Sequence, residues 1–252
     1  MMNIVLPIAG RGSRFADAGY ELPKPLIPVH GVPMIETVVR NVRPAGPHRF
    51  IFVALADHLQ HLGMRETLER AAPGCLIVPV DRVTEGAACT VLLAREHIDT
   101  HDPLMLANSD QWVDVDINGY LATMDRQQAD GLIMTMKADD PKWSFVGLTP
   151  AGLVTRVVEK QVISDEATVG IYNFRRGSDF VRGADQMIAK NLRVNNEFYV
   201  APAYNELIAD GARIAIHNVG REGAGMYGLG IPADLDLFLA DPVSRRAVAR
   251  AA

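Results

Sequence analysis

The chain opens with "NIVLPIAGRGSRFADAGYELPKPLIPV", Asn3 to Val29, and the fold class follows from this stretch. Asn3–Ile8 is a short apolar run with the character of a strand. It leads directly into Ala9–Val29, which holds three glycines, two arginines, one lysine and three prolines. In an open α/β sheet, ligands bind beyond the carboxyl ends of the strands, so a loop in this place is set for a ligand. Gly10 and Gly12 let backbone N–H groups approach an anion closely. Arg11 and Arg14 add charge, and Arg14 can fork onto phosphate oxygens. Lys24 is a point charge on a stiffened segment, because Pro23 and Pro25 fix their own φ and restrict their neighbours. The plain alternative is a surface loop with turn glycines. It leaves unexplained why glycines, arginines and a proline-flanked lysine fall together after a strand. Two familiar phosphate motifs do not fit. The dinucleotide fingerprint needs glycine where Phe15 stands, and the Gly-Lys-Ser/Thr of a Walker loop is absent.

Working outward, short apolar runs alternate with amphipathic ones. Strands are expected at Arg49–Leu55, Cys75–Val80, Pro103–Ala107 and Gly131–Met136. Helices are expected at Pro33–Val42, Asp57–Ala71, Gly86–Ile98 and Asp116–Gln128. This order predicts an α/β fold, a Rossmann-like three-layer α/β/α sandwich on a mostly parallel mixed sheet. The second half predicts a hairpin of Phe145–Thr149 and Val154–Lys160 around Pro150-Ala151-Gly152. A strand at Thr168–Phe174, helices at Ser178–Lys190 and Val200–Ala209, a strand at Arg213–Val219 and a short helix at Asp234–Leu239 follow. A single domain over 1–252 is expected, with halves at 1–140 and 141–240. The tail 241–252 is helix-prone, basic and outside the expected core.

Of the 252 residues 48% are apolar, enough for a sizeable core, and the formal charge is −5. That balance argues against nucleic acid or an anionic membrane as the main partner. No apolar run approaches the ~18 residues of a membrane span, and the N-terminus lacks the pattern of a secretion signal. Cys75 and Cys89 have no metal-like spacing and read as free thiols of a reducing compartment. A cytoplasmic protein is expected, and a homo-oligomer stays open.

The motifs of the opening stretch resemble the signature of the nucleotidyltransferase superfamily that includes the sugar-1-phosphate pyrophosphorylases. There a strand is followed by Gly-x-Gly-x-Arg and then Pro-Lys-Pro-Leu. Here these are Gly10-Arg11-Gly12-Ser13-Arg14 and Pro23-Lys24-Pro25-Leu26, followed by "PVHGVPMIE". Further matches are "TEGAACTVLLA" (Thr84–Ala94), "LMLANSDQ" (Leu104–Gln111), "VVEK" (Val157–Lys160), "VGIYNF" (Val169–Phe174) and "GMYGLGIPADL" (Gly225–Leu235). "NNEFYVAPAYN" (Asn196–Asn205) and "TEGAACT" look closest to the capsule-type phosphate cytidylyltransferases.

The resemblance implies a GT-A-like fold and a Mg²⁺-dependent transfer of an NTP, CTP favoured, to a small phosphorylated acceptor. Pyrophosphate would be released, for a surface-polysaccharide precursor. It places nucleotide binding in 1–140 and the acceptor in 141–240. Gly10 to Ser13 with Arg14 would hold the leaving pyrophosphate, and Lys24 the α-phosphate. Asp110 would hold Mg²⁺, which prefers carboxylate and phosphate oxygens. Ala9, Glu85, Gly86 and Ser109 complete the implied nucleotide set. Lys160 would bind the acceptor phosphate, with Glu159, Gly147 and Glu197 beside it. Asp81 ends the third strand; it could accept from a cytosine amino group, or be a solvated loop acid.

One departure stands out. Gly228 falls where such enzymes bring a second metal-binding Asp. Asp110 and phosphates would then suffice, or Asp234 or Glu197 would help; Asp234 also reads as the cap of the last helix. Asp114-Val115-Asp116 spells D-x-D, the metal motif of many nucleotide-sugar glycosyltransferases on a related fold, yet Asp116 also sits where a helix cap belongs. That pair motivates a glycosyltransferase alternative, and Gly228 a non-catalytic nucleotide sensor. The spacings His58/His61 and His97/His101 read as helix surface. Trp143 reads as packing on the acceptor, Trp112 as core, and Tyr199 and Tyr204 as core or interface.

Overall fold

The structure is a computed structural model that describes residues 1–60 and 63–249. Thirteen strands and eleven helices occur among those residues. The strands are β1 (Met2–Ile8), β2 (Pro28–Val29), β3 (Val32–Pro33), β4 (His48–Leu55), β5 (Leu76–Val80), β6 (Leu104–Ala107) and β7 (Gln111–Val113). They continue as β8 (Gly131–Lys137), β9 (Ser144–Leu148), β10 (Val154–Glu159), β11 (Glu166–Phe174), β12 (Ile214–Glu222) and β13 (Gly225–Gly228). The helices are α1 (Ser13–Asp17), α2 (Met34–Asn41), α3 (Ala56–Gln60), α4 (Met64–Ala71), α5 (Ala87–Leu92) and α6 (Arg95–Ile98). Then come α7 (Ile117–Arg126), α8 (Gly177–Ala189), α9 (Tyr204–Ala209), α10 (Pro232–Ala240) and α11 (Val243–Val248).

One large sheet runs in the order β5-β4-β1-β6-β11-β8-β12-β13-β7, and the β9/β10 hairpin joins it through β11. The block β5-β4-β1-β6 is parallel, as are the pairs β8/β12 and β12/β13. β11 lies antiparallel between β6 and β8, and so ties strands of the two halves of the chain together. All nine of its residues are buried. β1 explains the layering. Ile4, Leu6 and Ile8 face one core with α2, α4, α7, α10 and α11, whereas Val5 faces the other with α5, α8 and α9. A strand buried on both faces reads as a continuous apolar run, which is what Asn3–Ile8 is. The result is the expected three-layer α/β/α sandwich.

Several expectations shift in detail. The single helix over Asp57–Ala71 is two, because Gly63 takes a left-handed φ of +67° and starts α4. His61 lies outside the described residues. The helix over Gly86–Ile98 divides after Leu92 into α5 and α6. The opening loop is not all loop. Gly12, at φ +62°, turns the chain into α1, whose Phe15 is buried edge-on against Tyr20. Phe15 therefore anchors the loop to the core at the position where a dinucleotide fold would carry glycine. The tail is also part of the core. Val243, Ser244 and Ala247 of α11 are buried, and Ser244 Oγ lies 2.7 Å from His30 Nε2. No helix among the described residues is long and apolar enough to cross a membrane.

Candidate active site

The first pair of functional side chains is held by two turns. Lys24 sits in a short 3₁₀ turn, Lys24–Leu26, entered from Pro23. Asp110 ends the turn between β6 and β7, and its carbonyl accepts from Leu229 N at 2.7 Å. Lys24 Nζ donates to Asp110 Oδ2 at 2.9 Å, both side chains being largely buried. Two residues remote in sequence thus form one charged unit beneath the glycine loop. Ala9 and Ser109 are buried under it, while Gly10, Arg11, Ser13 and Arg14 are exposed.

Beside that unit lies a cavity of about 310 Å³, lined by Arg14, Asn108, Gln111, Trp143, Ser144, Glu159, Lys160, Glu197 and Tyr199 among others. Glu159 is buried and accepts from Ser144 Oγ. Burial holds its carboxyl above the ordinary value; Ser144 and the Lys160 charge oppose this, and Glu197 adds to it. Lys160 takes a left-handed φ of +57°, its N–H donates to the Trp143 carbonyl, and its Nζ lies 5.3 Å from the Tyr199 ring centre. Gln111 is 6% exposed, and its Nε2 has no partner among the described residues; Trp143 Nε1 is likewise buried and unpaired. Buried N–H groups are rarely left orphaned, and these two line the cavity. Gly170, at φ +81°, makes room for the amides, since a Cβ there would lie 2.5 Å from Gln111 Nε2.

Of the expected acceptor residues, Glu159, Lys160 and Glu197 line the cavity. Gly147 sits opposite Arg156, further along the hairpin, where a Cβ would lie 2.9 Å from Thr155 Oγ1. Ser144 also lines the cavity, because the hairpin register sets it opposite Glu159. A register shift between Val154 and Arg156 hides that pairing from a simple count back from the Pro150-Ala151-Gly152 turn. Asn108, Gln111 and Tyr172 were also missed, since nothing local marks them as facing a cavity.

The expected nucleotide residues divide. Asp81 and Glu85 line a separate cavity of about 970 Å³ with Arg193 and Phe198. The Glu85 carboxylate pairs with Arg193 Nη1 at 2.8 Å. Gly86 lies between the two cavities, at φ +125°. Its neighbours join the two substrate-facing segments: Phe198 N donates to Glu85 O at 2.7 Å, and Ala88 N to Phe198 O at 3.0 Å.

The D-x-D pair is engaged elsewhere. Asp116 caps α7, accepting from Asn118 N at 3.0 Å and Gly119 N at 3.1 Å. Asp114 pairs with Arg246 at 2.8 Å. No group of three or more His, Cys, Asp or Glu suited to a metal occurs among the described residues. Asp234 is not the cap of the last helix. Ile231 holds the cap position of α10 and Pro232 the first helical position, with Asp234 two residues further along the first turn. Burial pushes the Asp234 carboxyl up; Lys142 and Arg14 oppose that, and Glu222 and Asp110 add to it. Cys75 and Cys89 are free, and burial raises both thiols.

Comparison with known proteins agrees with this architecture. The chain is similar to the nucleoside-diphosphate-sugar pyrophosphorylase from Vibrio cholerae RC9, with a TM-score of 0.78, 28% identity, and coverage of 94% of this chain and 100% of that one. It is 32% identical over 112 residues to the 2-aminoethylphosphonate cytidylyltransferase of Lancefieldella rimae, covering 38% of this chain and 46% of that protein. It is 30% identical over 180 residues to the bifunctional protein GlmU of Burkholderia thailandensis, covering 68% of this chain and 36% of that one. The chain thus spans less than half the length of these two curated relatives. Residues 3–192 match the model of the nucleotidyl transferase family. The chain belongs to that family.

Proposed function

We propose that this enzyme transfers the nucleotidyl group of CTP to a small phosphorylated acceptor in the cytoplasm, releasing pyrophosphate toward a surface-polysaccharide precursor. The observation that carries this reading is the cavity itself. Arg14, from the glycine loop, and Lys160, from the end of β10, line one space with two orphaned N–H donors. Cations at both ends of such a space suit a reaction between two phosphates. Among the relatives described above, the one whose name specifies a base is a cytidylyltransferase.

In the proposed reaction an acceptor phosphate oxygen attacks the α-phosphorus, and the bond to the β-phosphate oxygen breaks in line. Catalysis is then positioning and charge neutralisation. Lys160 holds the acceptor phosphate, and Glu159 accepts from acceptor hydroxyls. Gln111 Nε2 and Trp143 Nε1 donate to acceptor oxygens. Lys24 reaches the α-phosphate, and Arg14 with the backbone of Gly10 to Ser13 holds the leaving pyrophosphate. Asp110 suits Mg²⁺, which is commonly held by one or two carboxylates plus substrate phosphates. When bound, that ion would offset the charge on the phosphates. Asp114 and Asp116 supply no second reading, because a cation and a helix end occupy them.

The test is pyrophosphate release from CTP, UTP, dTTP, ATP and GTP, each with Mg²⁺ and a panel of phosphate and phosphonate monoesters. Turnover is expected with CTP. Turnover with UTP or dTTP alone would refute the base assignment, and consumption of a nucleotide sugar without pyrophosphate would refute the reaction.

A further inference from the structure

Position 228 carries glycine on β13, opposite Gln111 of β7. A Cβ built there would lie 3.1 Å from Asp234 Oδ2 and 3.4 Å from Asp234 Cβ and Cγ. The carboxylate of Asp234 therefore fills the space that a side chain at 228 would enter. Two residues on, a Cβ at Gly230 would lie 3.0 Å from Asp110 Oδ2. Between them, Leu229 N donates to the Asp110 carbonyl at 2.7 Å. Asp110 and Asp234 thus flank one three-residue strip, Gly228–Gly230.

Asp234 stands in the first turn of α10, where a negative charge suits the helix end, but that field does not fix the direction of its carboxylate. It accepts no hydrogen bond and pairs with no cation among the described residues. Asp110, by contrast, is held by Lys24. With no donor on it among the described residues, the Asp234 carboxylate keeps its oxygen lone pairs open to a cation. Two carboxylates with phosphate oxygens form an all-oxygen donor set, which is the preference of a hard divalent ion.

We infer that Asp234 is the second carboxylate of the divalent-cation site, supplied from the first turn of α10 in place of a side chain at 228. The inference rests on the reading of Asp110 as a metal ligand. It also gives Gly228 a reason: any side chain there would displace the carboxylate that serves in its stead.

The test measures metal directly. Mn²⁺ is titrated against the full chain, with pyrophosphate present, by water-proton relaxation enhancement. Pyrophosphate is used because it is the product whatever the base. Thermal unfolding confirms that each variant is folded. Asp234→Asn is expected to weaken Mn²⁺ binding by roughly tenfold or more. Asp110→Asn should weaken it at least as much. The double variant Gly228→Asp/Asp234→Ala, in which the carboxylate moves to the strand, should recover most of the lost affinity. Asp234→Asn binding Mn²⁺ as the wild type does, while Asp110→Asn loses it, would overturn the inference and leave Asp110 in place. Unchanged binding in both variants would remove the metal from this site altogether.

Discussion

Gly86→Ala is the sharpest single test of how the two substrate-facing segments are joined. At Gly86 the chain takes φ +125° and ψ 171°, a region reached essentially by glycine alone. Forcing another residue there costs about 1–3 kcal/mol. The new Cβ would also lie 2.5 Å from Phe198 O and 2.6 Å from Phe198 N. Both are backbone atoms, so no rotamer change relieves the clash. Phe198 must move, which strains its bonds to Glu85 O and from Ala88 N. Each is worth about 0.5–1.5 kcal/mol net. Together the cost is about 2–6 kcal/mol, and a chain of this size loses roughly 2–4 °C of Tm per kcal/mol. Thermal unfolding followed by circular dichroism should therefore show a fall of roughly 4–24 °C. The acceptor KM should rise as well, because Glu197 and Tyr199 flank Phe198 on the cavity wall. Gly10→Ala is the control. No atom lies within 4 Å of its built Cβ, so its Tm should stay at the wild-type value. A Gly86→Ala protein with wild-type Tm and wild-type acceptor KM would refute the claim that this glycine serves close backbone approach.

Three further outcomes are expected. Burial makes the folded state bind the Glu159 proton more tightly than the unfolded chain does, so that stability is present below the usual carboxylate range and lost as pH rises through the raised value. Glu159→Gln, measured by Tm from about pH 4 to about pH 7, should gain on the wild type as pH rises, while its acceptor KM increases about tenfold; a Tm difference that ignores pH would contradict this. Asp116→Ala should lose about 1 kcal/mol as a helix cap and keep its pyrophosphate release, and loss of turnover in a folded variant would return the D-x-D pair to the active site. Lys160→Ala should raise the acceptor KM and leave that of the nucleotide alone, whereas an unchanged acceptor KM would place the acceptor elsewhere.

The layers of the fold were legible because burial on both faces writes itself into composition. β1, β4 and β6 are continuous apolar runs, and α2 carries its apolar residues on one face. The glycine loop was legible for the opposite reason: it lacks what a core needs and holds what a phosphate needs. Features set by long-range register were not legible. β7 has only three residues, and it is a strand because β13, more than a hundred residues later, lies beside it. Ser144 was not legible, because a register shift in the hairpin decides which residue faces Glu159. The ion pair of Glu85 was not legible either, because its partner Arg193 comes from a loop more than a hundred residues later. Asp234 read as a helix cap by position along the chain, and only the empty space at Gly228 shows where its carboxylate goes.

The pair at Lys24 and Asp110 brings these threads to the opening stretch. Lys24 Nζ donates at 2.9 Å to the carboxylate that the proposed ion would take. Under the proposed mechanism, the lysine reaches an α-phosphate only when another positive charge replaces it at Asp110. Asp234 would strengthen that exchange, because a second carboxylate favours a doubly charged ion over a singly charged ammonium. The stiffness of Pro23-Lys24-Pro25 then has a use. With the backbone fixed in its 3₁₀ turn, the swing from carboxylate to phosphate is confined to one flexible side chain. Metal and nucleotide would thus be coupled through a single short movement. Under that proposal the glycine-rich half of the loop would release pyrophosphate, and the proline-fixed half would return Lys24 to Asp110.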